Sequence, residues 1–600
     1  MCKLTEILNS VNFCLEKPLN PKNIGKRDMK VNFKRNIAET ISLLTKIEKE
    51  KIESLIEIPP NPELGDYAIP CFQFARELRA NPVEIAKNIE DSFYSSSLEN
   101  ERAKVIQKVE AKGPYINIFL NREISINDIL KNLIVHNFSG MEKYGKGKTV
   151  VIDYSSPNIA KPFGIGHLRS TVIGNSLKKI FNFLGYNVIG INHLGDWGTQ
   201  FGKLITAYKK WGDEKELDNE PVKYLYSLYV KFHKEAEQDP ELEEEARRWF
   251  AKLEKGDPEA ISLWEKFCKL SLGEFKRIYK RLNVEFEYYM GESFYSPMLD
   301  QTIEEIVKSG ITKISEGALI VPLGDDIPPA LLRKKDGSTL YITRDLAAAI
   351  YRYNRFKFDL MLYVVGSPQA LHFKQLFKVL DKMSKKWVKN CHHVPFGHIS
   401  FENESMSTRK GNIILLEDVI NRAVDLARKT IEEKNPEIAE KDKVAEAVGI
   451  GAIIFNDLKN SRIKDIVFDW NEILNFNGET GVYLQYTHAR ITSLMKKFEA
   501  KYEKIKFEEG LKYGQELFPF VMKLNDFEDV VLKSSENFEP SIISRYLLDL
   551  ASEFNSYYNR YRFITEDYKQ SLSKIVAASA VKSVIKKGLN LLGIEAIEEM

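Results

Sequence analysis

The sequence predicts an α/β protein, with a doubly wound parallel sheet at its centre, a small α+β domain before the sheet and an all-α domain after it. Two observations indicate this arrangement. The β-branched run TVVIDYS is followed by an amphipathic run and then by a second apolar run, YNVIGIN. A strand, a helix and a strand in that order form a βαβ unit, the building block of a Rossmann-type sheet. After about residue 415 the apolar residues recur almost entirely at helical spacing.

The length of the chain, 600 residues, exceeds what one hydrophobic core supports. Glycine and charge concentrate in SGMEKYGKGKT, which marks a first boundary. We therefore predict an N-terminal domain over 1–145, a Rossmann-type domain over 146–415 with a charged helical insertion at about 205–285, and a helical domain over 416–600.

Local patterns predict the elements of the first domain. We expect a helix from about Ile37 to Ile52, a break at IPPNPELGDYAIP, and helix again at PCFQFAREL. NPVEIAKNI predicts a helix with Pro82 in its first turn, where its missing N–H is not needed. GPYINIFLN alternates in the manner of a strand.

In the second domain, predicted strands and helices continue to alternate. The helix after TVVIDYS should end near Gly185, because glycine readily adopts the left-handed conformation of a C-cap. KKDGSTLYITRDLAAAIYRY predicts a turn at Asp336 and Gly337 between two strands, and then a helix. FDLMLYVVGS predicts a further buried strand.

The composition excludes several classes of protein. The hydrophobic fraction of 44% and the charged fraction of 29% are those of an ordinary soluble protein. No apolar stretch approaches the roughly 20 residues that cross a bilayer, so no membrane partner is expected. Five scattered cysteines favour a reducing compartment over a disulfide scaffold. MCKLTEILNSVNF is not typical of a secretory signal, and a short organellar address stays open.

The segment SSPNIAKPFGIGHLRST has the features of a phosphate-binding loop. It joins a predicted strand to a helix, whose first turn presents free N–H groups and the positive end of the helix dipole. Gly164 and Gly166 would let a ligand approach the backbone, Lys161 adds a cation, and the ring of His167 is expected to point outward. A tight turn with a solvated cap explains these residues equally well.

A second cationic loop, SMSTRKGN, follows the last predicted strand of the sheet. Such a turn alone is usually plain surface, but with the first loop it would complete a clamp around phosphates. A third polar segment, CHHVPFGH, lacks the paired ligand spacing of a zinc site, and we expect no metal there.

Taken in order, these motifs resemble the arginyl-tRNA synthetases. GIGH is similar to the HIGH signature of class I aminoacyl-tRNA synthetases and SMSTRKGN to their KMSKS loop, while HLGDWGTQFG, YITRDLAAA, LQYTHARI and GLNLLGIEAIEEM follow the order of the arginyl family. The resemblance covers roughly residues 35–600. It departs at Gly164, which replaces the first histidine of HIGH, and at Ser405 and Thr408, which replace the lysines of KMSKS. The family implies that an upstream lysine, here Lys161, compensates.

The resemblance implies ATP-dependent ligation of L-arginine to the 3′ end of its tRNA through an arginyl-adenylate, with Mg²⁺ accompanying the ATP. The residues implied as catalytic are Lys161, His167, Arg409 and Lys410. Those implied to bind ATP are Gly164, Gly166, His167, His193, Met406 and Ser407. Those implied to bind arginine are Asp153, Asn158, Tyr341, Asp345 and Gln369. Those implied to bind tRNA are Asn117, Tyr486, Arg490, Tyr558 and Met600.

Residue chemistry supports the arginine pocket, because a planar guanidinium is recognised by carboxylates in a fork geometry. The alternative for Asp153 or Asp345 is an N-cap, and for the tyrosines it is helix packing. We expect a cytoplasmic monomer, with a mitochondrial location left open. Two other functions stay open: a non-catalytic synthetase-like protein that binds RNA, and another adenylylating enzyme of the HIGH type.

Overall fold

The computed structural model describes residues 30–96, 103–401, 414–475, 478–502, 504–505, 508 and 510–600. The chain divides into two compact units. The first unit comprises Met1–Gly140, Arg490–Asp529 and Asp549–Val584, and the second comprises Met141–Ala489, Val530–Leu548 and Ile585–Met600. The C-terminal helices thus contribute to both units, and the three-domain division drawn from the sequence stays a prediction.

The first unit holds a small α+β structure near its N-terminus. Its strands are β1 Tyr67–Pro70, β2 Ile106–Lys112 and β3 Tyr115–Leu120, and its helices are α1 Phe33–Thr45, α2 Lys49–Leu55, α3 Ala75–Leu78, α4 Pro82–Ser95 and α5 Arg122–His136. The strands form an antiparallel sheet in the order β1-β3-β2.

Several predictions for this region are confirmed, and two are wrong. α4 begins at Pro82 as expected, and the Asn81 side chain accepts a hydrogen bond from the N–H of Val83. The strand expected in GPYINIFLN is β3. The prediction of a single helix from Ile37 to Ile52 is wrong, because Lys46 adopts a left-handed conformation with φ 63° and ends α1. The break at IPPNPELGDYAIP contains β1, a strand created by its distant pairing with β3 and not by local pattern.

The second unit is built on a parallel sheet. Its strands are β4 Thr149–Asp153, β5 Asn187–Asn192, β6 Tyr288–Tyr289, β10 Leu360–Gly366 and β11 Cys391–Phe396. Among the described residues they lie in the order β11-β10-β4-β5-β6, and every neighbouring pair is parallel. The predicted doubly wound sheet is confirmed.

Helices connect the strands of this sheet. They are α6 Leu168–Phe183, α7 Thr199–Trp211, α8 Glu214–Asn219, α9 Pro221–Ala236, α10 Glu241–Glu254, α11 Pro258–Arg281, α12 Glu292–Tyr295, α13 Leu299–Lys308, α14 Tyr341–Phe356 and α15 Ala370–Lys382. Val151, Met361, Leu346 and Leu376 are buried together in the core between the sheet and α14 and α15. Gly185 has φ 85° just after α6, as the sequence predicts.

A small antiparallel sheet lies before α14, with strands β7 Lys313–Ser315, β8 Ala318–Val321 and β9 Ala330–Arg333. The turn at Asp336 and Gly337 follows β9, but the predicted second strand is wrong. Thr339 forms only an isolated bridge with Arg333, because α14 begins two residues later.

Most of the rest of the chain is helical, as predicted. Its helices are α16 Leu416–Lys434, α17 Lys441–Leu458, α18 Trp470–Ile473, α19 Gly481–Lys501, α20 Phe518–Asn525, α21 Phe527–Asn537, α22 Ser541–Arg560 and α23 Tyr568–Leu591. The short strands β12 Ile399–Phe401 and β13 Ile466–Phe468 form a parallel pair. In the part of the chain that the structure describes, none of the helices is both long and apolar enough to cross a membrane.

Candidate active site

The predicted site residues of the second unit gather at one edge of the parallel sheet. β4 ends at Asp153, β5 ends one residue before His193, and β10 is followed by the short helical turn that contains Gln369. The carboxyl ends of parallel strands share an edge, and open α/β sheets bind their ligands there.

Asp153 is buried, with 5% of its surface exposed, and both of its oxygens accept hydrogen bonds from the chain. Nη1 of Arg352, on α14, donates to Oδ2 at 2.7 Å, and Oγ of Ser156 donates to Oδ1 at 3.0 Å. Arg352 is itself buried and also donates from Nε to the hydroxyl of Tyr295. The residue is therefore not an N-cap, and its predicted contact with substrate arginine would share the carboxylate with Arg352.

Asp345 lies one helical turn after Tyr341, because α14 begins at Tyr341 as the sequence predicts. Nε2 of His372 is 2.6 Å from its Oδ2, and Nε2 of His193 is 3.9 Å from its Oδ1. Burial raises the pKa of Asp345, but the bond to His372 and the charges of both histidines and Arg352 outweigh it, so the pKa lies below its ordinary value. The carboxylate is therefore ionised at neutral pH.

Two further arginine-pocket candidates are open to a ligand. Tyr341 is 66% exposed at the first position of α14, and the guanidinium of Arg344 is 5.5 Å from its ring centre. Gln369 is also exposed.

Glu292 is a site residue that sequence reasoning missed. It begins α12, and its Oε2 accepts a long hydrogen bond of 3.5 Å from Nη1 of Arg344. Burial raises the pKa of Glu292 to about 7; the positive charge of Arg344 opposes this, and the carboxylates of Asp345 and Asp196 add to it. The signal in the sequence is a glutamate just beyond β6, but that strand has only two residues and no readable pattern.

The loop after β4 is held in an unusual conformation. Ser155, Ser156 and Ala160 have positive φ values of 72°, 49° and 60°. Such residues persist only where the surroundings over-determine them. The N–H of Ser155 donates to Oγ of Ser170 at 2.8 Å, and its hydroxyl bonds to that of Tyr279 at 2.7 Å. The loop is thus a fixed feature of the fold.

Asn158 sits against the chain that follows β5. It forms an isolated parallel bridge with Gly195, and the N–H of Ile159 donates to the Gly195 carbonyl at 3.1 Å. A Cβ on Gly195 would lie 2.2 Å from Oδ1 of Asn158. A glycine is therefore needed there to leave room for the asparagine.

His167 is half-buried, and the expectation that its ring points outward is wrong. The ring stacks on Phe163, with centroids 5.1 Å apart, and Nδ1 is 3.3 Å from the carbonyl oxygen of Gly164. Burial lowers the pKa of His167, the bond to Gly164 opposes this, and the charge of Lys161 lowers it further. The imidazole is therefore largely neutral at pH 7.

The other loop residues present a cation and open backbone. Nζ of Lys161 is 5.6 Å from the ring centre of Tyr229, so the loop contacts α9 of the predicted insertion. Gly166 is exposed, and a Cβ there would meet none of the described atoms within 4 Å. The backbone at Gly166 is thus accessible to a ligand.

The segment Ser405–Asn412 lies outside the described residues. The roles predicted for Met406, Ser407, Arg409 and Lys410 therefore stay predictions. The chain just beyond it is described and pairs with the first loop. The N–H of Ile165 donates to the carbonyl oxygen of Ile414 at 3.0 Å, and the N–H of Leu416 donates to the carbonyl oxygen of Phe163 at 2.9 Å. The chain that follows SMSTRKGN is therefore hydrogen-bonded to the loop that contains GIGH.

The segment CHHVPFGH contributes β11. The thiol of Cys391 is buried, and Nε2 of His393 is 2.8 Å from the Val365 carbonyl while its ring stacks on Phe373. Within the described ranges no three His, Cys, Asp or Glu side chains are grouped to hold a metal ion. The residues of this segment have structural contacts instead.

The predicted tRNA contacts lie in different settings. Asn117 of β3 is 4% exposed, and Tyr486 of α19 is half-buried. Arg490 donates to Oδ1 of Asn555 at 2.5 Å, and its guanidinium is 4.9 Å from the ring centre of Tyr558. The carbonyl oxygen of Met600 is 3.5 Å from Nδ2 of Asn435. All five assignments stay predictions.

The chain is similar to known proteins along most of its length. The chain matches the models of the class I tRNA synthetase (R) catalytic domain over 129–470, the DALR anticodon binding domain over 484–600 and the arginyl tRNA synthetase N-terminal domain over 31–120. It is 48% identical over 577 residues to an arginine–tRNA ligase of Halothermothrix orenii, and 47% identical over 575 residues to one of Clostridium perfringens. Each alignment covers 95% of this chain and 100% of the relative.

A solved structure is similar as well. The crystal structure of arginyl-tRNA synthetase from Plasmodium falciparum superposes with a TM-score of 0.74 at 25% sequence identity. The match covers 94% of this chain and 99% of that chain.

Proposed function

The chain belongs to the arginyl-tRNA synthetase family, and we propose that it joins L-arginine to the 3′ end of its tRNA. In the first step the arginine carboxylate attacks the α-phosphate of ATP, which gives arginyl-adenylate and pyrophosphate. In the second step a terminal ribose hydroxyl of the tRNA takes the arginyl group and AMP leaves. The non-catalytic alternative is not supported, because the relatives are named as ligases and match over their full length.

The observation that carries the proposal is the pair of carboxylates at the sheet edge. The charge of Asp345 raises the pKa of Glu292, and Tyr341 stands one turn before Asp345. A guanidinium can donate two parallel bonds to such carboxylates, whereas a lysine ammonium is a point charge that cannot use the fork. We assign Asp345, Glu292 and Tyr341 to the guanidinium, with Asp153 contributing beside its bond to Arg352.

The backbone end of the substrate needs polar partners at the same edge. We assign Asn158 and Gln369 to the α-amino and carboxylate groups of arginine. The support is that Asn158 is held against Gly195 and that Gln369 is exposed just beyond β10. With this assignment the substrate carboxylate would lie near the loop that carries Lys161.

Adenylate formation requires alignment of the two reactants and neutralisation of the charge on the phosphoryl oxygens. We assign this neutralisation to Lys161 and His167, together with Arg409 and Lys410 of the second motif. Because Nδ1 lies 3.3 Å from the Gly164 carbonyl and would donate to it, His167 would donate to the triphosphate from Nε2 as the imidazolium, a form that the negative charge of bound triphosphate favours. MgATP is the substrate form, because Mg²⁺ binds phosphate oxygens and waters more readily than an all-protein cage.

We propose the remaining ATP contacts from the family resemblance. Gly164 and Gly166 are proposed to approach the nucleotide through their backbone. His193 is proposed to line the ATP pocket, and its Nε2 lies 3.9 Å from Oδ1 of Asp345, so it also faces the arginine end of the site. Met406 and Ser407 are proposed to contact ATP from the second motif.

The tRNA is proposed to contact both ends of the chain. The N-terminal domain, over 1–145, is proposed to contact the tRNA elbow through Asn117. The helical domain, over 416–600, is proposed to bind the anticodon through Tyr486, Arg490, Tyr558 and Met600. Aromatic and cationic side chains of this kind stack on unpaired bases. We further propose that the protein is a cytoplasmic monomer, which sedimentation and cell fractionation would test.

An aminoacylation assay tests the whole proposal. Purified protein is incubated with ATP, Mg²⁺ and each amino acid in turn, with and without arginine tRNA, and both AMP release and charged tRNA are measured. We expect that arginine is the one amino acid that is attached to the tRNA, and that no ATP is consumed when tRNA is left out. Charging with a different amino acid would contradict the substrate, and tRNA binding without AMP release would favour the non-catalytic alternative.

A further inference from the structure

A buried ion pair joins the first turn of α6 to α17. Nε of Arg169 donates to Oδ2 of Asp457 at 3.0 Å, and Nη1 donates to the carbonyl oxygen of Lys464 at 2.7 Å. The exposed fractions are 0% for Arg169 and 2% for Asp457. Three segments of the second unit, α6, α17 and the turn before β13, therefore meet at one guanidinium.

Stability alone does not explain this pair. The attraction between buried ions is largely offset by the loss of their hydration, so an apolar pair of similar volume is often as stable. A cation near the N-terminus of a helix is also opposed by the helix dipole. In addition, Nη2 of Arg169 and Oδ1 of Asp457 have no hydrogen-bond partner within the described part of the chain. The pair is thus a costly arrangement for a core.

The location of Arg169 indicates what the pair fixes. Arg169 is two residues after His167 and three after Gly166. Its neighbour Ser170 donates to the Val364 carbonyl of β10 at 2.7 Å, which ties the same turn to the sheet. The turn is therefore held from two directions, by the sheet through Ser170 and by α17 through Arg169.

We propose that Arg169 is a positioning residue for ATP, which holds the turn of Gly166 and His167 at a fixed place through its bonds to Asp457 and to the Lys464 carbonyl. The proposal rests on the function proposed above, because it takes His167 as a contact of the triphosphate. A shift of about 1 Å in a positioning contact can reduce a rate roughly a hundredfold. Loss of the pair should therefore affect ATP and not arginine.

The decisive variant replaces both charges with apolar groups, Arg169→Met with Asp457→Leu. Its thermal midpoint, and its tRNA-dependent exchange of pyrophosphate into ATP, are compared with those of the unmodified protein. We expect a midpoint at or above that of the unmodified protein, a KM for ATP raised roughly tenfold or more, a lower kcat, and a KM for arginine within about twofold. Exchange with unchanged KM for ATP and unchanged kcat would overturn the proposal.

Two further variants separate the possible causes. Arg169→Lys keeps the charge but cannot reach both acceptors as a fork, so its KM for ATP should lie between those of the unmodified protein and the double variant. If the double variant does not fold, this single variant decides, and an unchanged KM for ATP contradicts the proposal. The matched control is Lys178→Met with Glu287→Gln, which removes another ion pair of α6, 2.7 Å long, and should leave the KM for ATP unchanged.

The same experiment distinguishes the two levels of inference. If the unmodified protein exchanges no pyrophosphate with arginine and tRNA present, the proposed function fails. If it does so and the Arg169 variants differ from it only in thermal midpoint, the function stands and the role of Arg169 is purely structural.

Discussion

Arg352 and Asp153 form a buried ion pair at the edge of the parallel sheet, in which Nη1 donates to Oδ2 at 2.7 Å. An arginine of the chain thus already occupies one of the carboxylates that the sequence assigns to substrate arginine. Asp345 differs, because its neighbours are His372 and His193, and its side chain is 30% exposed.

The two aspartates should therefore respond differently to neutralisation. We expect Asp345→Asn to raise the KM for arginine about 10- to 100-fold, because a hydrogen bond to a charged group contributes about 1.5–3 kcal/mol. Asp153→Asn should raise it less but lower the free energy of unfolding by about 3 kcal/mol, since it leaves the Arg352 charge buried without its partner. Steady-state kinetics and urea unfolding measure both effects.

The control for this pair is Asp300→Asn, whose carboxylate is highly exposed and contacts Arg333. It should change neither quantity. Equal KM values for the Asp153 and Asp345 variants would show that both carboxylates bind the substrate directly.

Lys161→Ala should lower the rate of adenylate formation severely, by roughly 10²–10³-fold, because it removes a donor to the phosphoryl oxygens. The affinity for tRNA should stay nearly unchanged. Pyrophosphate exchange and filter binding measure the two quantities. Lys210→Ala, on the exposed side of α7 beside Glu245, is the matched control. Unaltered exchange by the Lys161 variant would remove this residue from the site.

Arginine binding should depend on pH through Glu292, whose pKa is raised to about 7. Below this pH the protonated carboxyl cannot pair with a guanidinium, so the KM for arginine should fall as the pH rises from 6 to 8. Glu292→Gln should abolish this fall and leave a uniformly high KM. A wild-type KM that is flat across this range would contradict the assignment.

The same group should affect folding in the opposite sense. Burial favours the neutral form of Glu292, so its contribution to stability is complete below the unfolded pKa near 4.5 and is lost as the pH rises through 7. Without arginine, Glu292→Gln should therefore reduce the pH dependence of the thermal midpoint between these values. An identical pH profile for both proteins would show that the carboxyl is better solvated than its contacts indicate.

Gly195→Ala should raise the KM for arginine by displacing Asn158, since the added Cβ would lie 2.2 Å from its Oδ1. We expect an increase of roughly tenfold, as for the loss of one positioned polar contact. Gly273→Ala, inside α11, is the control, because its Cβ would meet none of the described atoms within 4 Å. It should leave the KM unchanged and stabilise the helix by about 0.5–1 kcal/mol.

Tyr558→Ala should weaken binding of arginine tRNA, because stacking of one base on an aromatic ring contributes about 1–3 kcal/mol. Loss of the contact with Arg490, at 4.9 Å, adds to this effect. Filter binding with arginine tRNA and with a tRNA of another anticodon measures the change. A variant that loses both affinities equally, or neither, would contradict a role at the anticodon.

The local sequence was sufficient for the elements that carry a strong pattern. TVVIDYS and FDLMLYVVGS are continuous apolar runs and became β4 and β10, and Pro82 marked the start of α4. Ordered motifs were also sufficient for the family, because a sequence of short patterns at long separations rarely recurs by chance. The strand β1 and the end of α1 at Lys46 were not predicted, since distant pairing and one backbone angle decide them.

Folding determines which charged groups come into contact. The sequence placed Asp153 and Asp345 at ligand-binding positions, but the partners Arg352 and His372 come from other elements, and Glu292 from a strand end too short to recognise. The reason is physical: strand and helix patterns reflect burial and hydrogen bonding along the chain, whereas the charge state of a carboxyl depends on groups up to 199 residues away that folding brings into contact.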